Sequence, residues 1–164
     1  MSQLTNIFYP QIFYIKESLE PDRLKGEDIN SYLLEKIKKN IGDKCIVKGY
    51  VKKDSIKIVS RTIGTINTSH FNGQPYFHIK VEADICKPSN GDIINDCRVV
   101  GINKIGIFAV NGPLQIIVAA VHHDDTSFFD KIKVDDRINV LVDDYKYQLN
   151  EDNIKVVAKF VSKK

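Results

Sequence analysis

Lys87-Pro88-Ser89-Asn90-Gly91-Asp92-Ile93-Ile94, followed after a short apolar run by Lys104-Ile105-Gly106-Ile107-Phe108-Ala109-Val110-Asn111-Gly112-Pro113-Leu114, decides the fold of this chain. Pro88 fixes its own φ and donates no backbone hydrogen bond, and Gly91 is free to turn, so the first stretch marks a junction between two units. Beyond it, β-branched residues are interrupted by Gly101, Gly106 and Gly112, the pattern of short strands separated by tight turns.

Working outward toward the C-terminus, strands are expected near 92–102, 106–110, 114–121, 137–144 and 154–160. Five short strands after a linker fit an oligonucleotide-binding (OB) barrel, whose closure also removes exposed sheet edges. Gly101 and Gly106 sit where such a strand must bend. The polar stretch 122–136 is expected to be a long loop between the third and fourth strands.

Working toward the N-terminus, Ile7, Phe8, Ile12, Phe13, Tyr14 and Ile15 predict an opening strand once past Pro10. Glu20-Pro21-Asp22 marks a turn or a helix start. Ile29, Leu33, Leu34, Ile37 and Ile41 recur at spacings of three and four, which predicts one amphipathic helix closed by Gly42. Lys36, Lys38 and Lys39 suit the carbonyl end of its dipole. Strands are expected over 45–51 and 55–59 around the turn Lys52-Lys53-Asp54, in a hairpin made basic by Lys44, Lys48, Lys52, Lys53, Lys57 and Arg61. Residues 62–75 read as a long exposed loop, of the kind used for contact. Residues 76–85 alternate, with Phe77, Ile79 and Val81 on one side and His78, Lys80 and Glu82 on the other, as in a half-buried strand. Two domains follow: an α+β unit over 1–86, with a helix packed on a small antiparallel sheet, and an all-β barrel over 87–164.

A chain of 164 residues has room for one ordinary domain or two small ones. Its 43% hydrophobic and 27% charged residues describe a packed globular protein and exclude pervasive disorder. No apolar run approaches the ~18 residues of a membrane span. The N-terminus lacks a basic region followed by an apolar one, so an intracellular protein that makes no membrane contact is expected. Cys45, Cys86 and Cys97 are odd in number and widely spaced, which speaks against a disulfide framework and a CxxC zinc site. A net charge of +3 with a pI near 8.6 permits RNA contact without demanding it.

No catalytic signature emerges. His122-His123-Asp124-Asp125 is the densest group of ligand-type residues, yet adjacent side chains on extended backbone point apart, so these read as solvated loop residues. Asp135-Asp136 and Asp143-Asp144 read as turn formers at the ends of a strand. There is no phosphate loop, nucleophile elbow or EF-hand spacing, and no cofactor or metal is expected. Phe108 has two readings, a base-stacking platform on the barrel face or a core residue. Lys104, Lys146 and Lys155 are phosphate-contact candidates, with a solubilising role as the alternative. Tyr145 and Tyr147 carry the same two readings.

Over nearly its full length the chain resembles the larger stalk subunit of multisubunit RNA polymerases: the seventh subunit of eukaryotic RNA polymerase II, its archaeal equivalent, and counterparts in polymerases I and III and in some large DNA viruses. The resemblance is carried by Leu19-Glu20-Pro21 ahead of the helix, by Gly49-Tyr50-Val51 and by Ile63-Gly64-Thr65-Ile66. It continues through Lys87-Pro88 with Gly91-Asp92-Ile93-Ile94, and through Gly106 with Val110-Asn111-Gly112-Pro113-Leu114.

It implies a truncated ribonucleoprotein-like (RNP-like) tip domain followed by an S1-type OB barrel, in a subunit without catalytic activity of its own. Implied partners are a smaller stalk subunit, core polymerase subunits near the clamp, and nascent single-stranded RNA, weakly bound. Arg61, Ile63, Gly64, Thr65 and Ile66 would then touch core polymerase, while Lys104, Gly106, Phe108, Lys146 and Lys155 would face RNA. Leu114-Gln115-Ile116-Ile117-Val118 replaces the glycine-led, histidine-bearing strand of ordinary S1 domains, which argues against tight RNA binding. The alternative is a free-standing S1-type RNA-binding protein in translation or RNA decay. Frequent Lys, Asn, Ile and Asp fit an AT-rich genome, that of a large DNA virus or a protist, so nucleus, host cytoplasm and virion are all open locations.

Overall fold

The computed structural model describes residues 3–4, 6–25, 28–66 and 73–164. The elements run β1 (Gln3–Leu4), β2 (Tyr9–Ser18), α1 (Ile29–Ile41), β3 (Lys44–Ile46), β4 (Gly49–Val51), β5 (Lys57–Arg61), β6 (Thr65–Ile66), β7 (Pro75–Cys86), β8 (Ile93–Ile102), β9 (Gly106–Asn111), β10 (Leu114–Ala119), β11 (Arg137–Lys146) and β12 (Ile154–Lys163). They form two compact units: one comprises Met1–Phe8, Cys45–Tyr50 and Cys86–Lys164, the other Tyr9–Lys44 and Val51–Ile85. No described helix is long and apolar enough to cross a membrane.

In the first unit, β8 to β12 close into a barrel. The strand order is β8-β11-β12-β10-β9, and β9 pairs back onto β8. The third and fifth barrel strands, β10 and β12, run parallel, with Leu114 opposite Ile154 and Val118 opposite Ala158. A closed five-stranded barrel with that order is consistent with the expected OB fold. Alternation explains its core. Ile107, Ala109, Ile116, Val118, Val140, Val142, Val156 and Ala158 point inward and are buried, while their neighbours along each strand point out. The segment Cys45–Tyr50 belongs to the same unit: Cys45 N–H donates to the Glu151 carbonyl at 2.7 Å, Asn150 N–H to the Cys45 carbonyl at 2.9 Å, and the Tyr147 hydroxyl to the Val47 carbonyl at 2.8 Å.

In the second unit β7 is the spine. β2 pairs along one edge over its whole length, Tyr9 opposite Ile85 through Ser18 opposite Tyr76. On the other edge β5 sets Ile58 opposite Val81, and β6 sets Thr65 opposite Tyr76. The inward residues of β7, Phe77, Ile79, Val81, Ala83 and Ile85, are buried, and the helix contributes Leu33 and Ile37, four residues apart on one face. Glu17, on the same side of β2 as Phe13, accepts from Asn40 Nδ2 at 2.9 Å and lies 3.7 Å from Lys36 Nζ. The helix therefore covers that side of the sheet, and the opposite side faces away from it.

Several local expectations are corrected. Residues 45–51 form two short strands rather than one, because the chain turns through Gly49 at φ 124°. The following strand starts at Lys57, after a 3-10 turn at Lys53–Ser55. Pro10 lies inside β2 and is tolerated because β2 is an edge strand. Pro21–Lys25 is a separate 3-10 turn, and the helix is capped instead by Asp28, whose carboxylate accepts from the Ser31 amide at 3.0 Å and from the Ser31 hydroxyl. Gly42 does close the helix, but with extended backbone (φ −65°, ψ 135°) rather than left-handed backbone. Its missing side chain matters because a Cβ there would stand 2.3 Å from the Lys38 carbonyl oxygen. The centre of the expected 62–75 loop, 67–72, lies outside the described residues.

Both Ser31 hydrogen bonds hold the Asp28 carboxyl below the usual 3.8. A carboxyl depressed in the folded state contributes stability at pH values above its unfolded pKa and loses it as pH falls through the folded one. Asp28→Ala is therefore expected to lower the thermal midpoint at pH 7. The gap from the parent should shrink below pH 3.8 in a melting series.

Candidate nucleic-acid interface

Cross-strand register arranges the outer barrel surface into two rows. Residues directly opposite each other on paired strands project to the same face. The first row reads Lys146, Lys155, Gln115, Val110 and Arg98, successive partners across β11, β12, β10, β9 and β8. The second reads Asp144, Val157, Ile117, Phe108 and Gly101 through the same strands. One row is thus cationic at both ends, and the row beside it runs from the exposed Asp144 carboxylate through Val157 and Ile117 to the Phe108 ring.

Phe108 is half-buried and is not part of the barrel's buried cluster. Its neighbours Ile107 and Ala109 take the inward positions. The residue opposite is Gly101, with no atom within 4 Å of where its Cβ would be, so the ring has open space on that side. A depression of about 300 Å³ lies over this area, lined by Val100, Phe108, Val110, Gln115, Ile117 and Lys155. The floor is apolar with one ammonium group at its margin. That is chemistry suited to a base stacked on an aromatic with its phosphate near a lysine.

The remaining candidates divide. Lys155 and Lys146 are exposed and directly opposite each other at one end of the face. Lys104 is exposed in the β8–β9 turn at the other end, some four residues from Phe108 or roughly 13 Å of strand. Asn103 holds that turn, its Oδ1 accepting from the Ile105 amide at 2.9 Å and the Gly106 amide at 3.1 Å. Gly106 is buried, and a Cβ on it would meet the Val118 carbonyl oxygen at 2.2 Å. It permits close strand approach and offers no surface to a ligand. Tyr145 and Tyr147 stack on each other at 6.4 Å and pack against the core, so the barrel uses both internally. Arg98 and Gln115 complete the face but show no motif in the sequence; only pairing register reveals them.

The residues expected to dock on polymerase also divide. The Arg61 Nε donates to Asn30 Oδ1, and its guanidinium lies 5.4 Å from the centre of the Phe77 ring. Gly64 sits against Phe77 and Pro75. Thr65 and Ile66 pair with Tyr76 and Pro75. Ile63 and Ile66 project, 86% and 66% exposed, and form the apolar part of this segment.

The 122–136 stretch is not simply solvated. It contains a 3-10 turn at Ser127–Lys131, and His123 is held on both ring nitrogens: Nδ1 lies 2.8 Å from the Ala119 carbonyl and Nε2 accepts from the Phe160 amide at 3.0 Å. The ring meets Phe128 edge-on at 5.0 Å, and Phe128 stacks on Phe160 at 4.5 Å. His123 is a structural clasp. Asp143 occupies a β-bulge inside β11 rather than a turn. Among the described residues no three His, Cys, Asp or Glu side chains group so as to hold a metal ion. Burial pushes the Cys86 and Cys97 thiols up to about 12, and burial with the Glu151 and Asp152 charges pushes Cys45 to about 11. Protonated, buried thiols are inert as nucleophiles and metal ligands.

No family model matches the chain. It is 30% identical over 159 residues to a protein of Acanthamoeba polyphaga mimivirus provisionally named a DNA-directed RNA polymerase subunit, in an alignment that takes in 89% of this chain and 78% of that protein. The chain belongs to that family of polymerase subunits.

Proposed function

We propose that the chain is the larger stalk subunit of a DNA-directed RNA polymerase and has no catalytic activity of its own. In this reading residues 1–86 form an RNP-like tip and residues 87–164 an S1-type OB barrel. The tip docks on the core near the clamp through Ile63 and Ile66, with Arg61, Gly64 and Thr65 shaping the segment. The chain pairs with a smaller stalk subunit, and the barrel presents Phe108, Lys155 and Lys146 to exiting RNA. It works inside the cell, in the nucleus of a cellular organism or in the host cytoplasm or virion of a virus. The observation that carries this reading is the 30% identity to the mimivirus polymerase subunit across most of both chains; the barrel strand order and the register-aligned outer face support it.

Affinity purification of the tagged chain from its native cells is the test. Recovery of the large polymerase subunits together with one smaller partner is expected. Recovery with ribosomes or decay enzymes and no polymerase would replace the reading with a free-standing RNA-binding protein. On the barrel, the double change Phe108→Ala with Lys155→Gln should weaken single-stranded RNA binding and reduce the salt slope by about 0.7 for the lost charge.

A further inference from the structure

The barrel sheet has a sixth strand, β1, that is not part of the closed barrel. On one side of β8, Ile93 and Ile94 lie opposite Leu141 and Val140 of β11; on the other side the ladder to β9 begins only at Arg98 opposite Val110. Without β1 the first part of β8 would present an apolar open edge. β1 covers it in parallel, with Gln3 opposite Ile93 and Leu4 opposite Ile94. Ile7 and Phe8 continue over the barrel: both are half-buried and pack against its core, and the Phe8 ring lies 6.3 Å from that of Tyr50. The β9–β10 turn is shaped to receive them. Gly112 has φ 57°, and a Cβ there would stand 2.9 Å from Ile7 Cδ1 and 3.8 Å from Phe8 Cε2. Asn111 Nδ2 donates to the Asn95 carbonyl at 3.0 Å, which ties that turn to β8 beyond the ladder pair of Arg98 and Val110.

We infer that this strip of the barrel is a strand-accepting groove that exchanges its occupant between two copies of the chain, the segment from β1 to Phe8 of each copy filling the groove of the other. The hold on the segment is small: a two-residue ladder and two half-buried anchors, with the Phe8 amide satisfied inside the segment by Asn6 Oδ1 at 3.1 Å. It can therefore open locally while the barrel core, whose buried side chains come mainly from β8 to β12, stays packed. Phe8 belongs to the barrel unit, and the next residue, Tyr9, already belongs to β2 of the other unit. Tyr9 precedes Pro10, and a residue before proline is held to extended backbone, so a released segment continues the line of β2. The occupant follows from the same geometry. A foreign strand would have to displace the chain's own segment, which is held at high effective concentration, and would leave it unpaired. A second copy supplies Ile7 and Phe8 at the same spacing and receives an identical segment in return, so both grooves stay filled and no contact is lost.

The test uses the full-length chain, and gel filtration with light scattering is expected to show a dimer whose share grows with protein concentration. Gly112→Asn fills the space taken by Ile7 with a residue that tolerates positive φ, and Ile7→Asp with Phe8→Asp removes the anchors. Each variant alone should be monomeric. Mixed one to one, the two should form a heterodimer, because the first still carries an intact segment and the second an intact groove. Gly91→Asn is the control: Gly91 also has positive φ, at 90°, but a Cβ there meets nothing within 4 Å, so this variant should dimerise as the parent does. A fluorescein-labelled peptide of residues 2–9 reports the groove directly. It should bind the parent in competition with the resident segment, and the same peptide with Ile7→Asp should bind about tenfold more weakly, matching what half-burying one aliphatic side chain contributes. Circular dichroism matching the parent qualifies each variant, and if a variant does not fold, the two peptides on the parent decide alone. The inference is overturned if the parent stays monomeric up to about 1 mM, if either variant dimerises like the parent, or if the mixed variants do not pair. It is equally overturned if the parent does not distinguish the two peptides.

Discussion

Gly106→Ala is expected to lower stability by about 3 kcal/mol, the upper end of the cost of overpacking. The added Cβ would lie 2.2 Å from the Val118 carbonyl oxygen and 3.0 Å from the Ala119 Cα, both backbone atoms of β10 that cannot rotate away. Relief requires parting β9 from β10 where Gly106 pairs with Ala119, at the end of the barrel closed by the Asn103 turn. In a protein of this size such a loss lowers the thermal midpoint by roughly 6–12 °C. Gly101→Ala is the control: its Cβ meets nothing within 4 Å, and a change of no more than about 1 kcal/mol is expected. Equal effects for the two glycines would show that strand approach at Gly106 is looser than the structure has it.

Ile37→Ala should cost about 2–5 kcal/mol, the usual range for emptying a fully buried aliphatic site. Ile37 is 0% exposed and shares with Leu33 the whole buried face of α1. A helix of 13 residues is marginal alone, so its stability comes from packing on the sheet and falls with either anchor. Urea unfolding followed by far-ultraviolet circular dichroism measures the effect. Glu35→Ala on the exposed side of the same helix should stay within about 0.5 kcal/mol, and a comparable loss there would mean that helix propensity rather than packing holds α1 in place.

The two results draw on different kinds of legibility. The i, i+4 spacing of Leu33 and Ile37 is visible in the sequence because a helix repeats every 3.6 residues, so its buried face follows from the order of residues alone. The five barrel strands were legible for a similar reason, being β-branched runs cut by Gly and Pro. The helix start was less so. Glu20-Pro21-Asp22 was the signal read there, and the Asp28–Ser31 cap was decided by hydrogen bonds that only the folded chain displays. The 3-10 turns at Lys53–Ser55 and Ser127–Lys131 have no periodicity long enough to read.

The candidate interface shows the same division. Phe108 and Lys155 were chosen from residue type, and the barrel brings them to one depression. Gly106 was placed with them as a contact residue, and the structure makes it a packing position. His123 read as solvated because its partners, the Ala119 carbonyl and the Phe160 amide, include a backbone group 37 residues away in sequence.

By itself the sequence determined where the main strands and the helix fall and the supply of aromatic and cationic side chains. Those follow from local sterics and hydrophobic period, which act within a few residues. The tertiary structure alone decided which of those side chains share a face, because pairing register joins residues far apart in the chain. It aligned Arg98, Val110, Gln115, Lys155 and Lys146 in one row, set Tyr14 beside Lys80 on another sheet, and turned Phe108 outward.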